Sequence, residues 1–341
     1  MPKPLNDLLR ETSRSFYLTL RVLPAAVRPQ IGLAYLLARA TDTVADTEII
    51  PVVDRLVALQ QLRKRIQDQA APRLSFKDIA RQQGEPAERN LLEKVETALE
   101  QLQTFSREDQ ALIREVLVTI TSGQELDLQR FATAAPGEIV ALQTVAELDD
   151  YTYRVAGCVG EFWTKICRAH LFPNAEINEH QLIADGIRFG KGLQLVNILR
   201  DIPADLKLGR CYLPSQLLSP AGLYPDTLLS SANEGKFLPI YRSQLSLAGE
   251  HLTAGWSYTN QLPYGQFRVR LACAWPILIG QRTLAKLRSA NSLDLVKRVK
   301  VTRREVKQVI FQSLLACPFP PLWRKLYVNP GNAIASGRNF P

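Results

Sequence analysis

Four aspartates stand in two identically spaced pairs, Asp42 with Asp46 and Asp201 with Asp205. A spacing of four returns to the same face of an α-helix, so each pair presents two carboxylates one turn apart. Like charges at that spacing repel unless a cation stands between them. Hard carboxylate oxygens suit Mg2+, which is held by a few carboxylates and takes further oxygens from substrate phosphates. Arg39 and Arg200 lie beside the two pairs, and guanidinium groups hold phosphate oxygens in charge-assisted hydrogen bonds. The chemistry within reach of these residues is therefore the binding of Mg2+ and a phosphorylated ligand. A lone D-x-x-x-D pair is ordinarily an inert solvated face, so the sequence around each pair decides between the two readings.

The helix predicted for the first pair runs roughly from Val27 to Asp46. Between Ile31 and Ala38 it is apolar nearly all round, Tyr35 apart, which is the pattern of a buried helix. Tyr35, Arg39, Asp42 and Asp46 fall within one narrow arc of it. The helix predicted for the second pair runs roughly from Asp185 to Ile202. Its apolar residues surround it, and one polar line of Gln194, Asn197, Asp201 and Asp205 interrupts them. Pro203 is expected to kink or end that helix before Asp205. Carboxylates are costly to hold unpaired on buried helices, and two such pairs favour the metal-binding reading.

Helical periodicity dominates elsewhere, for example at Leu91, Val95, Ala98, Leu99 and Leu102, and strand alternation is scarce. The polar segment from Pro72 to Pro86 reads as loop or short helix, and Pro214 to Gly235 as a long connection. The expected fold is all-α, a single-domain helical bundle over residues 1–330 with a flexible tail at 331–341. The 341 residues are 46% hydrophobic, enough for a sizeable core without disulfides. A formal net charge of +9 suits an anionic partner, but without a basic tail or a recognisable module nucleic acid is not expected. The odd count of five cysteines, none in a C-x-x-C pair, points to a reducing compartment. The opening residues lack the apolar stretch expected of a signal peptide, and the strongest apolar run, Leu271 to Gly280, is too short to span a bilayer. His170, His180 and His251 lack zinc-ligand spacing. Neither a nucleophile elbow nor a strand-borne G-x-G-x-x-G is present.

Five segments together resemble the squalene/phytoene synthase family. They are Thr12-Ser13-Arg14-Ser15-Phe16, the run Ala38 to Asp46, Tyr151 to Gly160, Gln194 to Asp205, and Gly209 to Pro214. The similarity extends from about Ser13 to about Val309 in the family's order. It implies the class I isoprenoid synthase fold, with a central cavity whose mouth carries both aspartate motifs. By that resemblance Asp42, Asp46, Asp201 and Asp205 hold Mg2+ against diphosphate. Ser13, Arg14, Arg39, Gln194, Asn197 and Arg200 belong to the substrate site, and Tyr151 assists proton movement. Tyr151, Val155, Cys158 and Phe162 share a predicted helix face, where Gly157 and Gly160 allow close approach of a ligand or another helix. The chain departs from the family in carrying Ala45 and Ala204 where an acid often precedes the second aspartate.

The reaction so implied joins two molecules of farnesyl diphosphate head to head through presqualene diphosphate, and hydride from NADPH then gives squalene. The cavity wall must exclude water from the carbocations, and Phe16, Tyr35, Phe162 and Phe189 have the character for it. The reductant rests on resemblance alone. Arg14, Arg39, Arg200, Lys300 and Arg303 are its candidate contacts. Two alternatives stand beside this reading: a phytoene or dehydrosqualene synthase without the hydride step, and a catalytically silent isoprenoid-binding helical protein. The implied location is cytoplasmic, with peripheral contact on the inner membrane face. The stretch Ile310 to Trp323, flanked by Arg303, Arg304, Lys307, Arg324 and Lys325, suits a shallow interfacial anchor with Trp323 at the interface, and equally a segment that closes the core of the bundle. Oligomeric state is not legible in the sequence.

Overall fold

The computed structural model describes residues 3–13, 16–294, 296 and 298–328. Arg14 and the tail expected at 331–341 lie outside the described residues. The chain divides into two compact units, one of Met1–Ala132 with Glu161–Ala175 and one of Thr133–Gly160 with Glu176–Pro341. Both are helical. Among the described residues, extended strands are confined to β1 Val140–Ala141 and β2 Arg210–Cys211, which pair in parallel. No helix among the described residues is long and apolar enough to cross a membrane.

The first unit contains α1 Lys3–Thr12, α2 Phe16–Val22, α3 Arg28–Asp46, α4 Val52–Gln67, α5 Lys77–Gln82, α6 Pro86–Glu93, α7 Val95–Leu102 and α8 Arg107–Arg130. The polar segment after Pro72 thus holds only the short α5. Helix α3 begins with Pro29 in its first turn, where the missing N–H costs nothing. Leu33, Leu36, Leu37, Ala40 and Val44 are buried as α3 packs on α4, α7 and α8. Ser106 caps α8 by accepting from the Asp109 backbone N–H at 3.1 Å. The buried Asp109 side chain accepts from Gln30 at 3.0 Å and pairs with His170 at 2.7 Å, joining the starts of α3 and α8.

The second unit contains α9 Val145–Thr152, a π-helical segment Tyr153–Gly157, and the start of α10 Cys158–Leu171. Then follow α11 Glu179–Lys207, α12 Ser215–Leu218, α13 Glu234–Gln261, α14 Phe267–Ser289, α15 Arg303–Ala316 and α16 Pro320–Arg324. The long connection expected from Pro214 to Gly235 is a string of short helical turns. Helix α11 packs along α13 and against the π segment. Close approach there requires glycine. A Cβ on Gly160 would lie 1.8 Å from the Gly186 carbonyl oxygen, and one on Gly190 would lie 2.1 Å from that of Ala156. The partner that Gly160 admits is therefore another helix.

Two expectations need correction. Pro203 does not end α11, which continues as helix to Lys207. Proline at 203 deprives the Leu199 carbonyl of its usual N–H donor. The hydroxyl of buried Tyr241, on α13, donates to that carbonyl at 3.1 Å. An outside donor thus satisfies the group that the proline orphans, and Asp205 stays on the helix. The second concerns the interfacial one of the two positions open to Trp323, which is 2% exposed. Its ring stacks on Trp256 at 5.3 Å, its Nε1 donates to Asn260 at 3.0 Å, and the Arg270 guanidinium lies 5.2 Å from its centroid. An indole with its N–H satisfied and a cation on its face is a core residue, not an interfacial anchor.

Candidate active site

Helix α3 delivers Arg39, Asp42 and Asp46 at its carboxyl end. The rest of its circumference is buried, and these three face outward with Tyr35. Asp46 is exposed, and Asp42 is partly so. Arg39 donates to Asp42 through one nitrogen and to Glu88 of α6 through the other. Burial disfavours the Arg39 charge, but Asp42 and Glu88 outweigh it and raise its pKa above the usual value. Two carboxylates here oppose the negative end of the helix dipole, and the last turn holds no basic residue. The arrangement invites an additional cation.

Helix α11 repeats the design. Ile198, Leu199 and Ile202 are buried, whereas Gln194, Asn197, Asp201 and Asp205 reach the surface to different extents along one line. Arg200 donates to both oxygens of Asp201, through Nε at 3.0 Å and through Nη2. Arg298, from the segment before α15, pairs with the same carboxylate at 2.9 Å. Burial pushes the Asp201 carboxyl up, and the two guanidiniums outweigh it, leaving the group below the usual carboxylate range. Asp205 stands at a recess lined also by Ile198, Ile202, Cys211, Tyr212 and Leu213. Burial pushes the Cys211 thiol up to about 12, so it stays neutral and serves as apolar lining.

Tyr151 lies in the last turn of α9, whose start is fixed by a capping box of Thr144 and Glu147. Its ring stacks on Tyr212 with centroids 4.8 Å apart. Tyr212 is placed by the β1–β2 pairing immediately before it. A π-helical segment, Tyr153–Gly157, begins two residues after Tyr151. Such segments are rare and are frequent at functional sites. Lys191 of α11 pairs with Asp149 at 2.7 Å and tethers α9 to α11.

The structure thus brings Arg39 to Asp42 and Arg200 to Asp201. Ser13 is buried, and its hydroxyl donates to the Leu9 carbonyl. Lys300 and Arg303 are exposed at the start of α15, and the Lys300 carbonyl accepts from Lys286 at 3.0 Å. Phe162 is buried, and Phe189 lies 6.4 Å from Tyr258 between ring centroids. Glu88, Tyr212 and Arg298 were not singled out from the sequence. Tyr212 alone had a signal, inside a motif already quoted.

The donor chemistry fits Mg2+, since each helix offers two hard carboxylates one turn apart beside arginines suited to phosphate oxygens. No group of three or more His, Cys, Asp or Glu able to hold a metal by itself occurs among the described residues. The pairing of Asp42 and Asp201 with arginine means that a metal must compete for those oxygens. For a dinucleotide, the two-residue strands offer no Rossmann cradle.

Comparison with known proteins places these helices in context. The squalene/phytoene synthase family model matches residues 9–305. The chain is 30% identical over 288 residues to the bifunctional lycopene cyclase/phytoene synthase of Gibberella fujikuroi, covering 80% of this chain and 46% of that protein. It spans less than half the length of that relative. It is 33% identical over 209 residues to the presqualene diphosphate synthase of Rhodopseudomonas palustris, 61% of each chain. The fold superposes on TcSQS in complex with the ligand E5700 with a TM-score of 0.76, at 21% identity, covering 94% of this chain and 88% of the other. The architecture is therefore the all-α isoprenoid synthase fold. With that fold, and with both aspartate helices inside the matched residues, the chain belongs to the squalene/phytoene synthase family of prenyltransferases.

Proposed function

We propose that this protein is a squalene synthase, which condenses two farnesyl diphosphates head to head to presqualene diphosphate and reduces that intermediate to squalene. The observation that carries the proposal is the duplicated aspartate helix. Asp42 with Asp46, and Asp201 with Asp205, each stand on a largely buried helix, and arginine pairs with one carboxylate of each set. Mg2+ held by Asp42 with Asp46, and by Asp201 with Asp205, would supply the positive charge that lets an allylic diphosphate depart. Arg39, Arg200 and Arg298 hold the diphosphate oxygens once these compete with the aspartates. Gln194 and Asn197 extend that polar line. Tyr151, braced by Tyr212, takes part in the proton loss that closes the cyclopropane. The aromatic and aliphatic residues around these groups exclude water, which would otherwise trap the carbocations. NADPH would supply hydride for the last step, with Lys300 and Arg303 as its phosphate contacts in this reading. Product without a polar group partitions into lipid, so peripheral contact with a membrane from the cytoplasmic side belongs to the same reading.

A second reading stops before reduction. The Gibberella fujikuroi relative is named in part as a phytoene synthase and the Rhodopseudomonas palustris relative as a presqualene diphosphate synthase, and neither name implies a reductant. Incubation of the purified protein with labelled farnesyl diphosphate and Mg2+, with and without NADPH, separates the two. The expected products are squalene with NADPH, and presqualene diphosphate or a dehydrogenated hydrocarbon without it. The same products in both arms would establish the second reading. Preference for geranylgeranyl diphosphate with phytoene as product would replace the substrate. Absence of Mg2+-dependent pyrophosphate release would leave a silent isoprenoid-binding protein.

A further inference from the structure

Helices α15 and α16 carry a surface that neither the aspartate site nor the core accounts for. The inner stripe of α15 is fully engaged. Val309, Ser313 and Ala316 are buried, and the Ser313 hydroxyl accepts from Trp275 Nε1 at 2.8 Å. The opposite arc is not needed for packing, yet its carboxyl half is apolar. Phe311, Leu314 and Leu315 share that arc at helical spacing. With Phe319 and Leu322 from the following turn and α16, they are between 49% and 63% exposed. Scattered surface apolar residues need no explanation, but a contiguous set marks an interaction surface.

The amino half of the same arc is basic. Arg304 and Lys307 are exposed there, and Arg324 and Lys325 are exposed beyond the apolar set. From Arg298 to Val328 the chain has seven Lys or Arg (Arg298, Lys300, Arg303, Arg304, Lys307, Arg324 and Lys325) and one acid, Glu305. That acid is already committed, to Lys286 at 2.8 Å and to its capping box with Thr302. The surface is also rigid. Trp323 fastens α16 from beneath, and the Tyr264 hydroxyl donates to the Cys317 carbonyl at 3.1 Å in the turn between the two helices.

We propose that the outward face of α15 and α16, with Phe311, Leu314, Leu315, Phe319 and Leu322 ringed by Arg304, Lys307, Arg324 and Lys325, docks the protein on an anionic lipid bilayer. Charge complementarity selects this occupant. A second copy of the chain would bring the same cations together across a two-fold contact, and like charges in juxtaposition oppose it. Anionic headgroups meet the cations, while the phenyl and leucyl groups enter the acyl boundary. The surface stands independently of which reaction the aspartate helices serve.

The test is co-sedimentation of the full chain with sucrose-loaded vesicles of phosphatidylcholine, with or without phosphatidylglycerol. Binding is expected to the anionic vesicles at low salt and to be released at high salt. Arg304→Glu with Lys307→Glu should lower partitioning by about tenfold or more, since each basic residue near the surface favours binding by about 1 kcal/mol. Phe311→Ser with Leu315→Ser should lower it at least as far. Both variants should retain wild-type circular dichroism and melting, because all four side chains point to solvent. If the serine variant is not folded, the charge variant decides alone. No binding to anionic vesicles at low salt, or wild-type binding by a folded variant, would overturn the proposal. So would a wild-type dimer in analytical ultracentrifugation that these substitutions split, since a second copy would then cover the face.

Discussion

Asp42 and Asp46 put two negative charges at the carboxyl end of α3, where the helix dipole is already negative. Each opposes the other at one-turn spacing, and Arg39 is shared between Asp42 and Glu88. Asp201 is paired by Arg200 and Arg298. Asp42→Asn or Asp201→Asn should lower turnover about 10²–10³-fold, the usual scale for removing one preorganised electrostatic contact, without changing circular dichroism. Thermal melting supplies an independent readout. Mg2+ with pyrophosphate should raise the wild-type melting temperature by mass action and leave either variant nearly unmoved. Near-wild-type turnover in a folded variant would refute the role given to these aspartates.

Helix α11 illustrates how one element survives a residue that should break it. Pro203 removes the donor for the Leu199 carbonyl, and Tyr241 replaces it from α13. Burial raises the pKa of that phenol further above its ordinary value, so it remains a donor at every physiological pH. Tyr241→Phe should cost about 1–3 kcal/mol, the penalty for an unsatisfied buried polar group. In a Pro203→Ala background the backbone N–H returns to Leu199, and the same change should cost clearly less. A double-mutant cycle by urea denaturation measures the difference. Equal costs in both backgrounds would mean that the phenol does not stand in for the missing backbone bond. The continuity matters for function because it keeps Asp205 on the same helix as Asp201.

Across the second unit, aromatic stacking and one half-buried imidazole both bear on stability. Trp256 stacks on Trp323 and on Tyr327, fastening α16 and the residues after it to α13. Trp323→Ala should therefore cost about 3–5 kcal/mol as a core truncation, measured by denaturant midpoint, while the vesicle binding of the folded fraction is retained. His251 lies against Gly192. Burial, and then the charges of Arg188 and Lys191, lower its pKa from 6.5 to about 4. Between those values the unfolded chain binds a proton that the folded chain refuses. The imidazole therefore costs no stability above pH 6.5, and stability falls as pH drops from there toward 4. His251→Gln should flatten that part of the profile relative to wild type, read from urea midpoints at pH 7 and pH 4.5. Parallel profiles would mean that His251 does not titrate as described.

The aspartate helices were legible because periodicity is local. Buried apolar residues around Asp42 and Asp201 marked each helix as packed on most sides and left one polar line to carry function, and the structure keeps both lines. Arg39 and Arg200 were legible for the same reason, being adjacent in the sequence to the groups they pair with. Glu88 and Arg298 were not, since their partners lie 49 and 97 residues away and nothing in a local pattern reports such an approach. The fate of Pro203 was misread on the same ground, because the hydroxyl that satisfies Leu199 comes from a residue 42 positions distant. The flanking cations leave Trp323 open between an interface and the core, and it is buried because Trp256 and Asn260 receive it. Helix period and charge spacing follow from bonds between neighbours a few residues apart, so the chain states them outright. Which distant side chain supplies a missing donor, a counter-charge or a stacking partner depends on the packing of whole helices, and that is settled only when the chain has folded.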